Sequence, residues 1–319
     1  MANRNMTQTR QFFDPAKLPV VYHPGETLEE KLQEMGMGVK EFATRVSKPE
    51  KTIIAVLKGK SSITPDMALS FELVTRIPAD MWLRYQKNYD EYMARKNREK
   101  TLQEGLTWAE KFPLDEIRRL GWLTKFGSPG GQPKDVVETL CLFFSVSSPK
   151  GWEDFYLNQR LRVAFRITLA ESCDPYALSA WLRQGEIQAD EISLPTKYTA
   201  KALKNALTTI SEVRKSSEAE YENTVSTLLA DAGVKLIFTD TLTSDPVKGS
   251  SRYIGGVPCI QLSKSFESTD DFWHTLFHEI GHILLHGKKD IFIENVEYGD
   301  KNPEKEQEAD EFAALWMSK

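Results

Sequence analysis

Four of the chain's five histidines lie within one short stretch, and the inner two have the spacing of a metal site. The four are His274, His278, His282 and His286, and Glu279 directly follows the second. On a helix, residues four apart share a face, so the imidazoles of His278 and His282 could bind one metal ion. Glu279 would then lie close enough to take a proton from a water molecule on the metal. This pattern is typical of zinc peptidase chemistry.

The residues around this motif predict a buried helix. Apolar side chains recur over a broad surface from Phe272 to Leu284, which is the pattern of a helix packed within a core. Asp270 or Asp271 is expected to cap the N-terminus or to favour it by charge. Gly287 is expected to end the helix.

The two outer histidines are not expected to bind the metal. Each four-residue step drifts by about forty degrees around a helix of 3.6 residues per turn, so His274 and His286 need not share the metal face. We expect each to be an ordinary core or surface histidine, with substrate binding as the alternative for His286.

A catalytic zinc ion usually has three protein ligands, so a further ligand must come from another segment. Residues 304–317 predict a second helix, and Ala309 belongs to its buried stripe. Glu308 lies beside this stripe and is the predicted third ligand. Asp310 is predicted to accept the spare N–H of a ligand histidine. The other carboxylates are expected to form a solvated face: Glu304, Glu306 and Glu311.

These motifs resemble the zinc metallopeptidases of the ImmA/IrrE type. The resemblance rests on His278-Glu279-Ile280-Gly281-His282, on Glu308-Ala309-Asp310-Glu311-Phe312-Ala313, and on upstream segments around Tyr253 and Gln261. It implies that His278, His282 and Glu308 hold Zn²⁺ and that Glu279 is the catalytic base. It also implies a helix-turn-helix repressor as substrate, cleaved to switch on stress or mobile-element genes.

Residues 24–80 read as a bundle of short helices. Helices are predicted over residues 26–35, 39–46 and about 49–57, and Thr64-Pro65 opens a fourth with a hydroxyl cap and a proline in its first turn. Two short helices joined by a tight turn are typical of a helix-turn-helix. Through His23-Pro24-Gly25-Glu26 and Ile63-Thr64-Pro65 the segment resembles the HigA-like antitoxin branch of the xenobiotic-response-element regulators.

The surface of this bundle leaves two roles open. Glu50, Ile54 and Ala55 stand where the regulator family has polar residues, and they offer little to base edges or phosphates. Operator binding and a retained fold that holds a protein partner are therefore equal alternatives. The candidate DNA contacts lie in the turn and the third helix: Arg45, Lys48, Lys51, Thr52 and Lys58.

The whole chain is predicted to be mainly α with a C-terminal α+β domain. We expect a flexible N-terminus at residues 1–23, a helix-turn-helix domain at 24–98, a helical middle region at 99–195 that serves as scaffold or sensor, and a metallopeptidase domain at 196–319. Short strands at residues 234–239, 252–255 and 258–262 predict a small sheet that precedes the zinc helix, and residues 291–294 are expected to form another strand or a lip of the cleft. An extended substrate could add itself to an edge of this sheet, with Ile260-Gln261-Leu262 as the expected edge.

Composition narrows the function class further. The 319 residues carry a net charge of -5, which does not favour a general nucleic-acid binder. The N-terminus lacks a signal-peptide core, and no run of about eighteen apolar residues occurs, so we expect a soluble cytoplasmic protein. Cys141, Cys173 and Cys259 lack the spacing of a metal site, and each is expected to be a small buried side chain in a reducing compartment.

Two functions follow from these patterns. The first is a zinc endopeptidase and transcriptional regulator. Its partners would be a protein substrate, such as a helix-turn-helix repressor or the chain's own N-terminal domain, together with operator DNA, a cognate toxin or a second copy of the chain. The second is a non-proteolytic HigA-like antitoxin or repressor with a structural or vestigial zinc site, marked by a fourth ligand such as His286 or Asp310. Glu279 argues against the second, because a structural site has no use for a buried base.

Overall fold

The computed structural model describes residues 21–126, 133–160, 174–216, 220–243, 247–286, 291–294 and 303–319. The chain divides into two compact units, with the boundary between Thr101 and Leu102. We refer to them as the N-terminal unit and the C-terminal unit.

The N-terminal unit is a helical bundle. Its core is aromatic, with the rings of Phe42 and Phe71 5.1 Å apart and those of Phe71 and Trp82 5.9 Å apart. The predicted cap of the fourth helix is present, since the Thr64 hydroxyl accepts a hydrogen bond from the amide of Met67. The helices are α1 (Pro24–Glu34), α2 (Val39–Arg45), α3 (Glu50–Leu57), α4 (Pro65–Thr75) and α5 (Ala79–Glu104), and the last three residues of α5 belong to the C-terminal unit.

The C-terminal unit begins with helices packed around a second aromatic core, which includes Trp108, Phe112, Phe144 and Trp152. After α9 the chain continues as π-helical turns over Glu153–Arg160. The helices are α6 (Leu106–Ala109), α7 (Leu114–Arg119), α8 (Pro133–Phe144), α9 (Pro149–Trp152), α10 (Pro175–Glu191), α11 (Ala200–Ser216) and α12 (Tyr221–Asp231).

A mixed four-stranded sheet follows, with strands β1 (Lys235–Thr239), β2 (Gly249–Ile254), β3 (Val257–Ser263) and β4 (Phe292–Ile293) in the order β1-β3-β2-β4. β3 is parallel to β1 and antiparallel to β2, and β2 is antiparallel to β4. The turn between β2 and β3 uses Gly255 and Gly256, both at positive φ. β3 is thus an interior strand paired on both sides. The expected substrate edge at Ile260-Gln261-Leu262 is therefore wrong.

Helices cover both faces of the sheet. Leu236, Ile260 and Leu262 join the core formed with helix α13 (Thr269–Leu285), while Ile237 and Cys259 pack with Ala189 of α10 on the opposite face. The last helix, α14 (Pro303–Ser318), packs along α13. The structure confirms the mainly α fold with a C-terminal α+β part.

Two further expectations concern burial and membranes. Cys141 and Cys259 are buried, as predicted, and Cys173 lies outside the described residues. Within the described ranges, each helix is too short or too polar to cross a membrane.

Candidate metal centre

Helix α13 carries the histidine motif and is buried along most of its length. The Ser268 hydroxyl caps it by accepting a hydrogen bond from the amide of Asp271, 3.1 Å away. Of the two expected roles of Asp270 and Asp271, capping is therefore excluded and the favourable charge is present. Both aspartates lie in the first turn, where their charges favour the helix N-terminus. The helix ends at Leu285, and the expected stop at Gly287 lies outside the described residues.

The two inner histidines point at one place. Their Nε2 atoms are 2.9 Å apart, and the residues are only 3% and 2% exposed. The Nδ1 of His278 is 2.8 Å from Oδ1 of Asp310. A carboxylate in that position accepts a hydrogen bond from Nδ1–H and leaves the Nε2 lone pair of His278 available for a metal. The predicted contact of Asp310 with a ligand histidine is thus present.

Glu306, rather than Glu308, is the carboxylate beside this pair. Its Oε2 lies 3.4 Å from Nε2 of His278, and its Oε1 lies 3.8 Å from Nε2 of His282. The Glu308 side chain is 60% exposed and instead meets His286. Helix geometry explains the difference, because Glu306 and Asp310 are four residues apart and share a face, whereas Glu308 and Asp310 are two apart and do not.

His278, His282 and Glu306 form a donor set that fits a metal ion. One ligand atom from each lies within 4.8 Å of the others, and no fourth side chain joins this cluster in the described part of the chain. Two imidazole nitrogens and one carboxylate suit zinc and leave a coordination position open. The expectation that Glu306 belongs to a solvated acidic face is not supported, since its side chain is 14% exposed.

Several carboxyl groups lie around the imidazoles of His278 and His282. Burial alone would lower the pKa of His278, but Glu306, Glu279 and Glu294 together raise it to about 9. Burial also raises the pKa of the Glu294 carboxyl, which His278 opposes. Several carboxylates around two imidazoles favour a bound cation.

Glu279 is fully buried beside the pair. Its carboxylate oxygens have no hydrogen-bond partner among the described residues, and the hydroxyl of neighbouring Ser251 lacks hydrogen-bonding geometry. Burial raises the pKa of Glu279 to about 8, and the nearby His278 acts in the opposite direction. β2 makes room for it at Gly249, where a Cβ atom would lie 2.8 Å from Glu279 Oε1.

The outer histidines differ in their surroundings. The ring of His274 stacks 6.3 Å from that of His278 and belongs to no metal cluster among the described residues. The side chain of His286 is 3% exposed and lies against His282, with the two Nδ1 atoms 2.9 Å apart.

Sequence reasoning missed Glu306, Gly249 and Phe292, whose ring stacks on that of His282 at 3.8 Å. The four-residue spacing of Glu306 and Asp310 could have indicated Glu306. A single sequence carries no comparable signal for Gly249 or Phe292, because their roles depend on which strands approach α13.

The candidate DNA contacts lie in the N-terminal unit. Arg45 pairs with Glu41 at 2.6 Å, and Lys48 pairs with Asp66. Lys51 and Lys58 are exposed, and Thr52 is half-buried. Two of the five candidates therefore already have acidic partners.

Comparisons with known proteins match both units. Residues 229–318 match the family model of the IrrE N-terminal-like domain, Peptidase_M78. At the N-terminal end, the chain is 33% identical over 63 residues to the uncharacterized HTH-type transcriptional regulator YddM of Escherichia coli, which covers 20% of this chain and 67% of that protein.

Two solved structures also resemble the N-terminal region. An addiction module antidote protein of the HigA family from Coxiella burnetii is 32% identical, with a TM-score of 0.25, covering 27% of this chain and 95% of that one. A putative antidote protein of a plasmid maintenance system from Nostoc punctiforme is 25% identical, with a TM-score of 0.26, covering 26% and 91%.

The sequence match to the regulator and the match to the peptidase family model lie in different parts of the chain. Each agrees with the structure of its own part. A short-helix bundle stands where the regulator matches, and the histidine helix, the sheet and α14 stand where the peptidase model matches. The chain belongs to the HTH-type transcriptional regulators through its N-terminal region and carries an IrrE N-terminal-like domain of the Peptidase_M78 family at residues 229–318.

Proposed function

We propose that this protein is a zinc-dependent endopeptidase joined to a helix-turn-helix regulator, and that it cleaves a regulatory protein in a stress, toxin-antitoxin or mobile-element response. One observation carries the proposal. His278, His282 and Glu306 converge beside Glu279, a buried carboxylate without a hydrogen-bond partner among the described residues. A site that only held the fold together would not need such a base.

The roles of the residues follow from their positions. Zinc, when bound, would polarise the scissile carbonyl and lower the pKa of a water molecule. Glu279 would take a proton from that water at its carboxylate and later deliver it to the leaving amine. Asp310 would hold His278 with its Nε2 lone pair facing the ion.

The sheet offers a place for an extended substrate. Among the described strands, β1 and β4 form the two edges. α10 lies against β1, where Gln188 donates a hydrogen bond to the carbonyl of Phe238. β4 holds Phe292 against His282, so a peptide paired along β4 would pass the ligand histidines. We therefore place the substrate at β4, and the substrate classes are a helix-turn-helix repressor or the protein's own N-terminal unit.

Substitution of the proposed base tests the activity. Glu279→Gln should retain zinc and lose cleavage, because the amide keeps the shape of the side chain but accepts no proton. Glu311→Gln removes an exposed carboxylate on α14 and is the matched control. The measurement compares new protein N-termini in cells that express the intact chain or either variant. Cleavage that persists in Glu279→Gln would eliminate this residue as the base.

We also propose that the N-terminal unit binds operator DNA, with Lys51 and Lys58 supplying the phosphate contacts. These two cations are exposed, whereas Arg45 and Lys48 are paired with acids. Lys51→Ala should weaken binding evenly across sequences and reduce the salt slope by about one. Glu34→Ala, an exposed change on α1, is the control. An unchanged slope would exclude Lys51 as a contact.

A further inference from the structure

His286 and Glu308 form a chain of contacts that ends on one of the two candidate ligand histidines. Nε2 of His286 is 3.0 Å from Oε2 of Glu308, and Nδ1 of His286 is 2.9 Å from Nδ1 of His282. The sequence patterns assign neither residue to this task. We propose that His286 and Glu308 are positioning residues that fix the tautomer and orientation of His282 for metal binding. This inference rests on the proposed zinc site.

The backbone explains why His286 reaches His282. α13 ends at Leu285, and His286 has an extended conformation with φ -112° and ψ 167°. Its amide still donates to the carbonyl of His282 at 3.0 Å. Residues four apart are neighbours on a helix surface, so the imidazoles of His282 and His286 can meet. As expected from the drift between successive histidines, His286 does not join the metal cluster among the described residues.

The number of hydrogens available to these contacts then selects one tautomer of His282. Two imidazole nitrogens at 2.9 Å need one hydrogen between them, carried by either ring. If His286 carried it on Nδ1 in the neutral form, its Nε2 lone pair would face the carboxylate of Glu308, which repels it. With the hydrogen on Nδ1 of His282, His286 accepts it and donates its own Nε2–H to Glu308. Of the two arrangements with a neutral His286, only the second satisfies all three groups.

This tautomer is the one that metal binding requires. A proton on Nδ1 of His282 leaves its Nε2 lone pair directed toward Nε2 of His278 and the carboxylate of Glu306. Phe292 lies parallel to the His282 ring, with 10° between the planes. The stacked ring sets the plane of His282, and the contact with His286 sets its rotation within that plane.

The same helix thereby orients both candidate ligands. Asp310 contacts Nδ1 of His278 directly, and Glu308 reaches Nδ1 of His282 through His286. The Glu308 side chain is 60% exposed, so its share of the effect should be smaller than that of buried His286.

Two substitutions at His286 separate hydrogen bonding from packing. His286→Phe keeps a ring of similar shape but has no nitrogen. His286→Gln loses the ring, yet its carbonyl can accept from His282 and its amide can donate to Glu308. Groups that orient a ligand typically change metal affinity by about 10- to 100-fold. We therefore expect His286→Phe to weaken binding by about that factor, and His286→Gln to stay within about threefold of the unaltered protein.

The measurement is Zn²⁺ affinity of the full chain by chelator competition, with metal-free melting curves to show that each variant is folded. Glu308→Ala should weaken binding by up to about tenfold, and Glu311→Ala should leave it unchanged. Wild-type affinity in His286→Phe would overturn the inference, and so would equal losses in the Phe and Gln variants. If His282→Ala also binds zinc like the intact chain, the zinc site itself fails. A loss in His282→Ala alone refutes only the role of His286.

Discussion

At the scale of single residues, the proposed activity depends on a carboxylate that is buried away from water. Glu279 is fully buried, and burial raises its pKa to about 8. A base is most effective when its pKa lies near the working pH, so this environment suits proton transfer at neutral pH. Gly249 permits the environment, because β2 can approach the glutamate only without a side chain at that position.

Gly249→Ala tests this approach. The added methyl group would lie 2.8 Å from both Glu279 Oε1 and Thr275 Cγ2, so the carboxylate must move. We expect a loss of cleavage with zinc retained, and a stability cost of about 1–3 kcal/mol from overpacking. Gly38→Ala, where no atom lies within 4 Å of the new Cβ, is the control. Full activity in Gly249→Ala would show that Glu279 tolerates displacement.

Cys259 gives a pH-dependent prediction for stability. Burial raises the pKa of its thiol from 9.0 to about 11. Between these values the unfolded chain loses the thiol proton and the folded chain keeps it, so stability falls as pH rises from 9 to 11. The slope is at most about 1.4 kcal/mol per pH unit. Urea unfolding of the intact protein and of Cys259→Ala at pH 8 and pH 10.5 measures the difference. Parallel losses in both proteins would contradict the prediction.

The candidate ligands show how much of the site residue spacing alone can predict. His278, His282 and Glu279 follow from local geometry, because one helical turn fixes their relative placement. The ligand from α14 is harder to predict, because a stripe of apolar residues shows which side of the helix is buried but not how far the helix is displaced along α13. The sequence therefore predicts Glu308 as the third ligand, whereas the structure places Glu306 beside the two histidines.

At the scale of elements, the sheet lies between two helices from different parts of the chain, α13 and α10. α13 packs on one face through apolar side chains, while α10 lies on the other over a buried polar group. Gln261 of β3 donates to the Trp181 carbonyl and to the Thr239 hydroxyl, and it accepts from Arg252. Gly185 of α10 allows this contact, because a Cβ there would lie 2.0 Å from Gln261 Oε1.

Gly185→Ala should therefore destabilise the C-terminal unit. The Gln261 amide would have to move and abandon buried hydrogen bonds, each worth about 1–3 kcal/mol when a partner is left unsatisfied. We expect a loss of about 3 kcal/mol, seen as a lower melting temperature of this unit by calorimetry. Gly151→Ala meets only ordinary contacts at 3.5 Å or more and serves as the matched control. Equal melting temperatures would show that α10 can shift without cost.

Most elements were predictable from periodicity and turn residues. The helices of the N-terminal unit and the strands around Gly255-Gly256 lie where the sequence placed them, within a few residues. Strand order was not predictable, because a parallel neighbour comes from a distant segment and leaves no local pattern. For that reason β3 was expected at an edge and lies inside the sheet.

At the scale of the whole molecule, the matched peptidase segment is smaller than the folded unit that contains it. The family model covers residues 229–318, whereas residues 102–319 form one compact unit. α10, from the middle region, covers Ile237 and Cys259 of the sheet. We expected the middle region to serve as a scaffold or a sensor, and this contact favours the scaffold.

Truncation tests this dependence. Residues 102–319 should fold cooperatively and bind zinc, because both faces of the sheet stay covered. Residues 196–319 should lack a cooperative melting transition, because the face that carries Ile237, Cys259 and buried Arg252 would be exposed. Near-UV circular dichroism against temperature distinguishes the two. A sharp transition in the shorter fragment would refute the scaffold role.

Helix α14 supplies Glu306, Glu308 and Asp310 from one rigid rod, and Gly281 lets that rod lie close against α13. A helix advances only about 1.5 Å per residue, so a slide of that size would break all three contacts together. As α14 is displaced along α13, the fraction of molecules that bind a metal ion should then fall abruptly rather than gradually. On the proposed function, a displacement of the last helix would therefore abolish cleavage in a single step.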